Sequence, residues 1–247
     1  MLARLTRELP SGDLTYEPKW DGFRTLAFID GDAIDLRSRH DRPLGRYFPE
    51  VVAGLRSAAR GRDGVLDGEI VLVGGGAGHD FGQLMSRLHP AASRVEQLSR
   101  ETPAAYVAFD LLAVDDEDLR EQPFVERRAR LEEMLAGAPP PVSITAATRD
   151  QREASNWLAR YRGGGVDGVV AKPDDLRYQP GKRAMIKVKL ERTVDCVVAG
   201  LRLFPGPAVS SLILGLYDED GRLHHVGVVT NLPIAERVRL VEELSPL

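Results

Sequence analysis

Residues 24–29 and 33–37 read as two short strands separated only by Asp30-Gly31-Asp32. Glycine adopts the positive φ of a tight turn without steric cost, so the pair is expected to form a hairpin. The pattern continues along the chain. Residues 65–73 are apolar with two acidic interruptions, and residues 105–113 are a nearly unbroken apolar run of the kind found in buried strands. Residues 166–172 and 185–190 complete the set. Helical periodicity falls at 50–59, 83–88, 125–136 and 149–162. Hairpins without regular strand–helix alternation predict an α+β domain over residues 1–190.

Composition then changes. Residues 194–203, 211–217 and 223–230 read as strands, the last two joined by Asp218-Glu219-Asp220-Gly221, and 234–244 reads as a helix. Three strands and a helix make an incomplete barrel, because a barrel needs more strands to hide its edges. The expectation is a truncated or unusually small second domain over 191–247.

With 247 residues the chain can bury an ample core. A single cysteine, Cys196, excludes an internal disulfide and any cysteine-based zinc site, which fits a reducing cytoplasm. No apolar run is long enough to span a bilayer, and the first residues lack the apolar core of a secretion signal. These readings predict a cytoplasmic protein with no membrane partner. The net charge is −4, yet residues 161–192 hold eight Lys/Arg against four Asp/Glu. A locally basic face of this sort suits a phosphate-bearing partner. The run Asp115-Asp116-Glu117-Asp118 reads as a solvated turn.

Some motifs mislead. Gly74-Gly75-Gly76-Ala77-Gly78 lacks the Lys-Ser/Thr that follows a phosphate loop. Gly163, Gly165 and Gly168 have dinucleotide spacing but follow a helix and precede a strand, the reverse of what a pyrophosphate site needs.

Lysine usage is more telling. Only Lys19, Lys172, Lys182, Lys187 and Lys189 stand among 33 basic residues, all the others being arginine. Arginine does not give up its proton in a protein, whereas a lysine amine can become a nucleophile. On a strand Met185, Lys187 and Lys189 share one face, and Ile186, Val188 and Leu190 face the core. Two adjacent ammonium groups call for an anion above them. The ordinary alternative is an edge strand decorated with lysine. Asp67 and Glu69 likewise share a strand face, with Gly68 between them permitting close approach, and suit a Mg²⁺ or a ribose hydroxyl unless they are a solvated edge. Asp167 precedes an apolar strand. Phe109 is by default a core ring but could stack on a base, and Arg39 is a surface arginine or a phosphate fork.

Lys19-Trp20-Asp21-Gly22-Phe23-Arg24 resembles the Lys-x-Asp-Gly-x-Arg signature of the covalent nucleotidyltransferases: ATP-dependent DNA ligases, RNA ligases and mRNA capping enzymes. The family's later motifs follow in order as Ser38-Arg39, Asp67-Gly68-Glu69, Phe109-Asp110, Asp167-Gly168-Val169-Val170-Ala171-Lys172 and Lys187-Val188-Lys189. Glu17-Pro18 and Tyr178-x-x-Gly181-Lys182-Arg183 look most like small bacterial DNA ligases and the ligase module of end-joining enzymes.

The resemblance implies an adenylation domain of antiparallel sheets with flanking helices, followed by a partial OB-fold barrel. It implies that Lys19 attacks the α-phosphate of ATP and holds AMP, that Glu17 accepts the adenine amino group, and that Phe109 stacks on the base. Glu69 would bind the ribose, Arg24 and Arg39 the ribose or phosphates, and Lys187 and Lys189 the α-phosphate. Glu69 and Asp167 would hold Mg²⁺ or Mn²⁺. The acceptor would be nicked double-stranded DNA, bound by a monomer near the nucleoid, with DNA-repair or end-joining proteins as partners. A free lysine has a pKa of about 10.4, and nearby cations should lower that of Lys19.

Two departures stand out. The family usually has Glu where Asp167 stands. Its last motif, late in the barrel, has no counterpart here, so the expectation is slow reaction with ATP but use of a pre-adenylylated nick. The alternatives are an RNA-joining or capping enzyme and a non-catalytic nucleic-acid-binding remnant.

Overall fold

The computed structural model describes residues 1–72, 81–160, 165–189 and 193–244. The glycine run at 74–78, Gly163, Leu190 and the ends of expected elements at 73 and 161–162 lie outside the described residues, as do 191–192 and 245–247 of the expected second domain. The chain divides into two units, Met1–Leu190 and Glu191–Leu247.

In chain order the first unit holds β1 (Ala3–Thr6), β2 (Leu14–Trp20), β3 (Phe23–Asp30), β4 (Ala33–Ser38), α1 (Pro49–Ala59), β5 (Gly64–Leu72), α2 (Phe81–Ser86) and α3 (Ala92–Glu101). There follow β6 (Ala104–Val114), β7 (Glu117–Asp118), α4 (Phe124–Met134), β8 (Val142–Ile144), α5 (Gln151–Arg160), β9 (Val166–Pro173) and β10 (Met185–Lys189). The second holds β11 (Val197–Leu203), β12 (Val209–Tyr217), β13 (Leu223–Val229) and α6 (Ile234–Leu244).

The β3–β4 turn forms as its composition requires. Gly31 sits at φ +53°, and its N–H donates to Asp63 Oδ1 at 2.7 Å. The hairpin belongs to a sheet ordered β4-β3-β5-β6-β7, with β8 beside β6. Alternation directs Ala27 and Ile29 inward, while Phe28 between them is 40% exposed. The inward residues meet Leu66 and Ile70 of β5, Tyr106 and Leu111 of β6, and Val51, Leu55 and Ala58 of α1. The helix residues lie at spacings of four and three, which gives one apolar stripe.

A second sheet runs β1-β10-β9-β2. Leu14 and Tyr16 of β2 and Val169 and Ala171 of β9 pack on Ala154 and Trp157 of α5. The opposite face of this sheet carries most of the chemistry described below. In the second unit the order is β11-β12-β13, both pairings antiparallel. Arg237 of α6 donates to the carbonyls of Val209 and Thr230 at 3.0 and 2.8 Å, pinning the helix to the sheet.

The mixed α+β architecture with mainly antiparallel sheets is as expected, but two pairings, β1·β10 and β6·β8, are parallel. Five elements, β1, β2, α3, β7 and β8, are additional to those expected, and β7 falls within the run that reads as a turn. The first strand of the second unit begins at Val197 rather than at 194. β10 is interior, between β1 and β9, so the edge-strand alternative for its lysines fails. Asp67 is fully buried, so the solvated-edge alternative fails for it too.

Candidate active site

Register places the chemistry. Lys19 of β2 and Lys189 of β10 both lie opposite Gly168 of β9, and Glu17 and Lys187 both lie opposite Val170. Opposed residues share a face, so one sheet surface carries Glu17, Lys19, Lys187 and Lys189 together. Gly168 is obligatory there, because a Cβ would fall 2.0 Å from the Val188 carbonyl oxygen.

Two bulges supply residues that alternation would misplace. Pairing of β2 with β9 jumps from Lys19↔Gly168 to Trp20↔Val166, which leaves Asp167 without a partner on β2. A bulged residue is re-aimed. The Asp167 carboxylate lies between two lysines, Oδ1 at 2.7 Å from Lys19 Nζ and Oδ2 at 2.7 Å from Lys189 Nζ. Burial opposes its ionisation, but the Lys189 and Lys19 ammoniums win and hold its pKa below the usual carboxylate range. In β6, Asp110 pairs with Asp67 and Ala108 with Gly68, so Phe109 is the bulged residue. Its half-buried ring joins the same cavity.

That cavity is about 470 Å³ and is lined by all eight non-metal residues expected at the site: Glu17, Lys19, Arg24, Arg39, Glu69, Phe109, Lys187 and Lys189. Cavities of a few hundred Å³ suit small-molecule ligands. Lys187 is pushed below the ordinary lysine range by burial and by the Lys189 and Lys19 charges. An anion above these groups would relieve the repulsion.

Glu69 lies opposite Arg24 in register, and its Oε1 accepts the Gly22 N–H at 3.2 Å. Gly22 must lack a side chain, since a Cβ would sit 2.1 Å from the Ile70 carbonyl oxygen. Burial lifts the Glu69 carboxyl to about 8, against the pull of Lys19 and Arg24. Arg24 is pinned by Asp67 through Nε at 3.0 Å and Nη2 at 2.6 Å, and it also donates to the Met1 carbonyl. Its guanidinium lies 5.7 Å from the centroid of the Phe109 ring. Arg39 follows β4 at the exposed rim and makes no ion pair among the described residues.

Glu17 is buried, with Oε2 at 2.7 Å from Lys172 Nζ and Oε1 at 3.2 Å from an Arg128 nitrogen. Burial raises its pKa, and Lys172 and Arg128 pull it back. Lys172 also donates to the Phe109 carbonyl at 2.9 Å and lies 4.9 and 4.4 Å from the centroids of Phe109 and Phe124. Sequence reasoning assigned no role to Lys172, although lysine scarcity pointed at it. It also missed Arg128, Asp67 as the Arg24 anchor, and Tyr178, whose hydroxyl donates to Asp67 Oδ2 at 2.9 Å. Gly68 does admit a close approach, by the Tyr106 ring rather than by a ligand.

No cluster of three or more potential protein ligands for a metal stands among the described residues. Magnesium does not require one, for it commonly takes one or two carboxylates and completes its shell with water and phosphate oxygens. Asp167 Oδ1 is buried and has ion-pair contact with Lys19 without an aligned hydrogen bond. That oxygen has a lone pair to offer a cation.

Residues 1–189 match the family described as "ATP dependent DNA ligase domain". The whole chain aligns with 70% of DNA ligase C2 of Mycolicibacterium smegmatis at 52% identity, and with 70% of DNA ligase C of Mycobacterium tuberculosis at 49%. A solved mycobacterial DNA ligase D complexed with ATP and MES superposes with TM-score 0.60 at 31% identity, covering 100% of this chain and 78% of that one.

Proposed function

The chain belongs to the ATP-dependent DNA ligase family, and from that premise we propose that Lys19 is its nucleophile and that nicked double-stranded DNA is its acceptor. The Lys19 amine attacks the α-phosphorus of ATP. An N–P bond forms as the P–O bond to pyrophosphate breaks. Lys187 and Lys189 hold the α-phosphate oxygens, where fixed positive charge stabilises the transferring phosphoryl group. Phe109 stacks on the adenine, Glu17 accepts from its amino group, Glu69 binds the ribose, and Arg24 and Arg39 hold ribose or phosphate oxygens.

Asp167 and Glu69 are the residues that would hold a divalent metal, Mg²⁺ or Mn²⁺, and that ion would neutralise charge on the phosphates. AMP then passes from Lys19 to the 5′-phosphate at the nick. Attack by the 3′-hydroxyl expels AMP and seals the strand. Residues 1–190 form the adenylation domain and 191–247 the start of an OB-fold. The protein acts as a monomer at the cytoplasmic nucleoid, with DNA-repair or end-joining proteins as partners.

One observation carries this reading. Lys19 and Lys189 converge on Asp167 beside a cavity lined by Glu17 and Phe109. The test is mass spectrometry after incubation with ATP and Mg²⁺. AMP mapped to Lys19 is expected, as is its absence in Lys19→Ala. AMP on another residue, or on none even after prolonged incubation at high ATP, would overturn the assignment. A nicked DNA duplex against a nicked RNA duplex then tests the acceptor.

A further inference from the structure

Arg128 lies on α4, outside the family's signature motifs and outside the cavity lining, yet it reaches a residue inside. Its Nη1 donates to Glu17 Oε1 at 3.2 Å, its Nη2 to the Thr145 carbonyl at 2.8 Å, and its Nε to Glu132 Oε1 at 2.6 Å. Two anchors thus fix the guanidinium while the third bond reaches Glu17. A lysine, with one short ammonium, cannot span three acceptors in a plane. Thr145 is itself tied down, for its N–H donates to the Ala108 carbonyl and its hydroxyl accepts the Trp20 indole N–H, both at 2.9 Å.

The second oxygen of Glu17 belongs to Lys172, which lies against the Phe109 and Phe124 rings. Each carboxylate oxygen therefore has one cation behind it, and each keeps lone-pair capacity for a ligand in the cavity that Glu17 lines. An ionised carboxylate can only accept hydrogen bonds. It suits the 6-amino group of adenine and repels the 6-oxo group of hypoxanthine or guanine. A neutral carboxyl would donate, and the preference would weaken or reverse. A carboxyl as buried as this one is driven toward the neutral form unless paired charges oppose it. Asp110, the nearby carboxylate on β6, adds to that drive, though Arg127 neutralises it at 2.8 Å.

We propose that Arg128 is a positioning residue for base selection: by holding Glu17 ionised and fixed in plane, it makes the site discriminate 6-amino from 6-oxo purine nucleotides. This rests on the assignment of Glu17 to the base and of Lys19 to the nucleophile, and it adds a residue that touches no substrate.

The experiment measures the initial rate of covalent nucleotide transfer to the full chain from ATP and from inosine triphosphate. These differ at the purine 6-position, which is what Glu17 would read. A site built to bond a substrate N–H rejects an analogue lacking it strongly, so wild type should favour ATP by about a hundredfold or more. In Arg128→Met the ATP-to-ITP ratio should fall about tenfold or more, while transfer from ITP holds or rises. Arg128→Lys, which keeps the charge but loses the fork, should fall between them. If ATP and ITP transfer drop in parallel with the ratio unchanged, Arg128 is only a structural tie and the proposal is wrong. Should Arg128→Met not fold, Arg128→Gln gives the same reading with a side chain that can still bond Thr145. Absence of any transfer to wild-type Lys19 would instead refute the nucleophile assignment, so the two failures are distinguishable.

Discussion

Lys19 and Lys189 lie opposite the same residue, Gly168, from the two flanks of β9, and share the single carboxylate of Asp167. The distance between these strands is therefore set by a residue with no side chain. Gly168→Ala would place a Cβ 2.0 Å from the Val188 carbonyl oxygen and 3.0 Å from the Lys189 Cα. Both are backbone atoms, so the strands must part. Expected are a stability loss of about 2 kcal/mol, within the usual range for overpacking, and adenylylation reduced at least tenfold. Chemical denaturation and a radiolabelled-AMP gel measure them; a variant with wild-type values on both would show that strand spacing does not matter.

Lys19→Arg separates charge from nucleophilicity. The guanidinium can still pair with Asp167, so folding stability should stay within about 1 kcal/mol of wild type, since a partly exposed ion pair contributes little. Covalent AMP should vanish, because arginine does not release its proton. Intact-mass measurement and thermal melting on one preparation give both answers. Any nucleotide adduct on Lys19→Arg would place the nucleophile elsewhere.

How far the sequence discloses this site depends on local regularity. The Asp30-Gly31-Asp32 hairpin and the core stripe of α1 follow from turn chemistry and period. β2 does not, since Pro18 and two charged residues interrupt it; it survives as a strand because it lies at the sheet edge, where a missing N–H is tolerated. β1 has only four residues and pairs with a partner about 180 positions away, and α3 buries only Val95 and Leu98. Simple alternation would group Asp167 with Val169 and Ala171, and no pattern marks the bulges that release it and Phe109. Resemblance of motif supplied those positions. The burial of Asp67, Arg127 and Lys172 was illegible for another reason: each residue type is normally at the surface, and only a partner distant in sequence justifies its burial.

Lys187 offers a pH signature. Its folded pKa is depressed by burial and by Lys189 and Lys19. A lysine whose folded pKa lies below its unfolded value costs stability at neutral pH, where both states are protonated. The cost fades as pH rises from the folded value toward the ordinary 10.5, because the folded state releases its proton first. Lys187→Met should therefore gain on wild type at pH 7, by about 0.5 kcal/mol, and that advantage should shrink as pH rises toward 10.5. Added ATP should reverse the order at pH 7, raising the melting temperature of wild type more than that of the variant. Parallel stability curves across this pH range would remove Lys187 from the mutually repelling set.

The last prediction concerns Asp67, which is buried between Arg24 and Tyr178. Arg24 spends two donors on Asp67 and a third on the Met1 carbonyl, and lies beside Phe109, so its position depends on that carboxylate. Asp67→Asn removes the charge and leaves a largely buried guanidinium without its counter-ion. Breaking such a pair costs about 3–5 kcal/mol. Tyr178→Phe removes only one neutral donor and leaves the ion pair, so it should cost about 1.5 kcal/mol or less. The ATP concentration for half-maximal adenylylation should rise in the same order, with the larger increase in Asp67→Asn, because Arg24 loses its orientation. Denaturation midpoints and adenylylation titrations on both variants test the ranking. If Tyr178→Phe proves as damaging as Asp67→Asn, the hydroxyl rather than the ion pair holds Arg24 in the cavity.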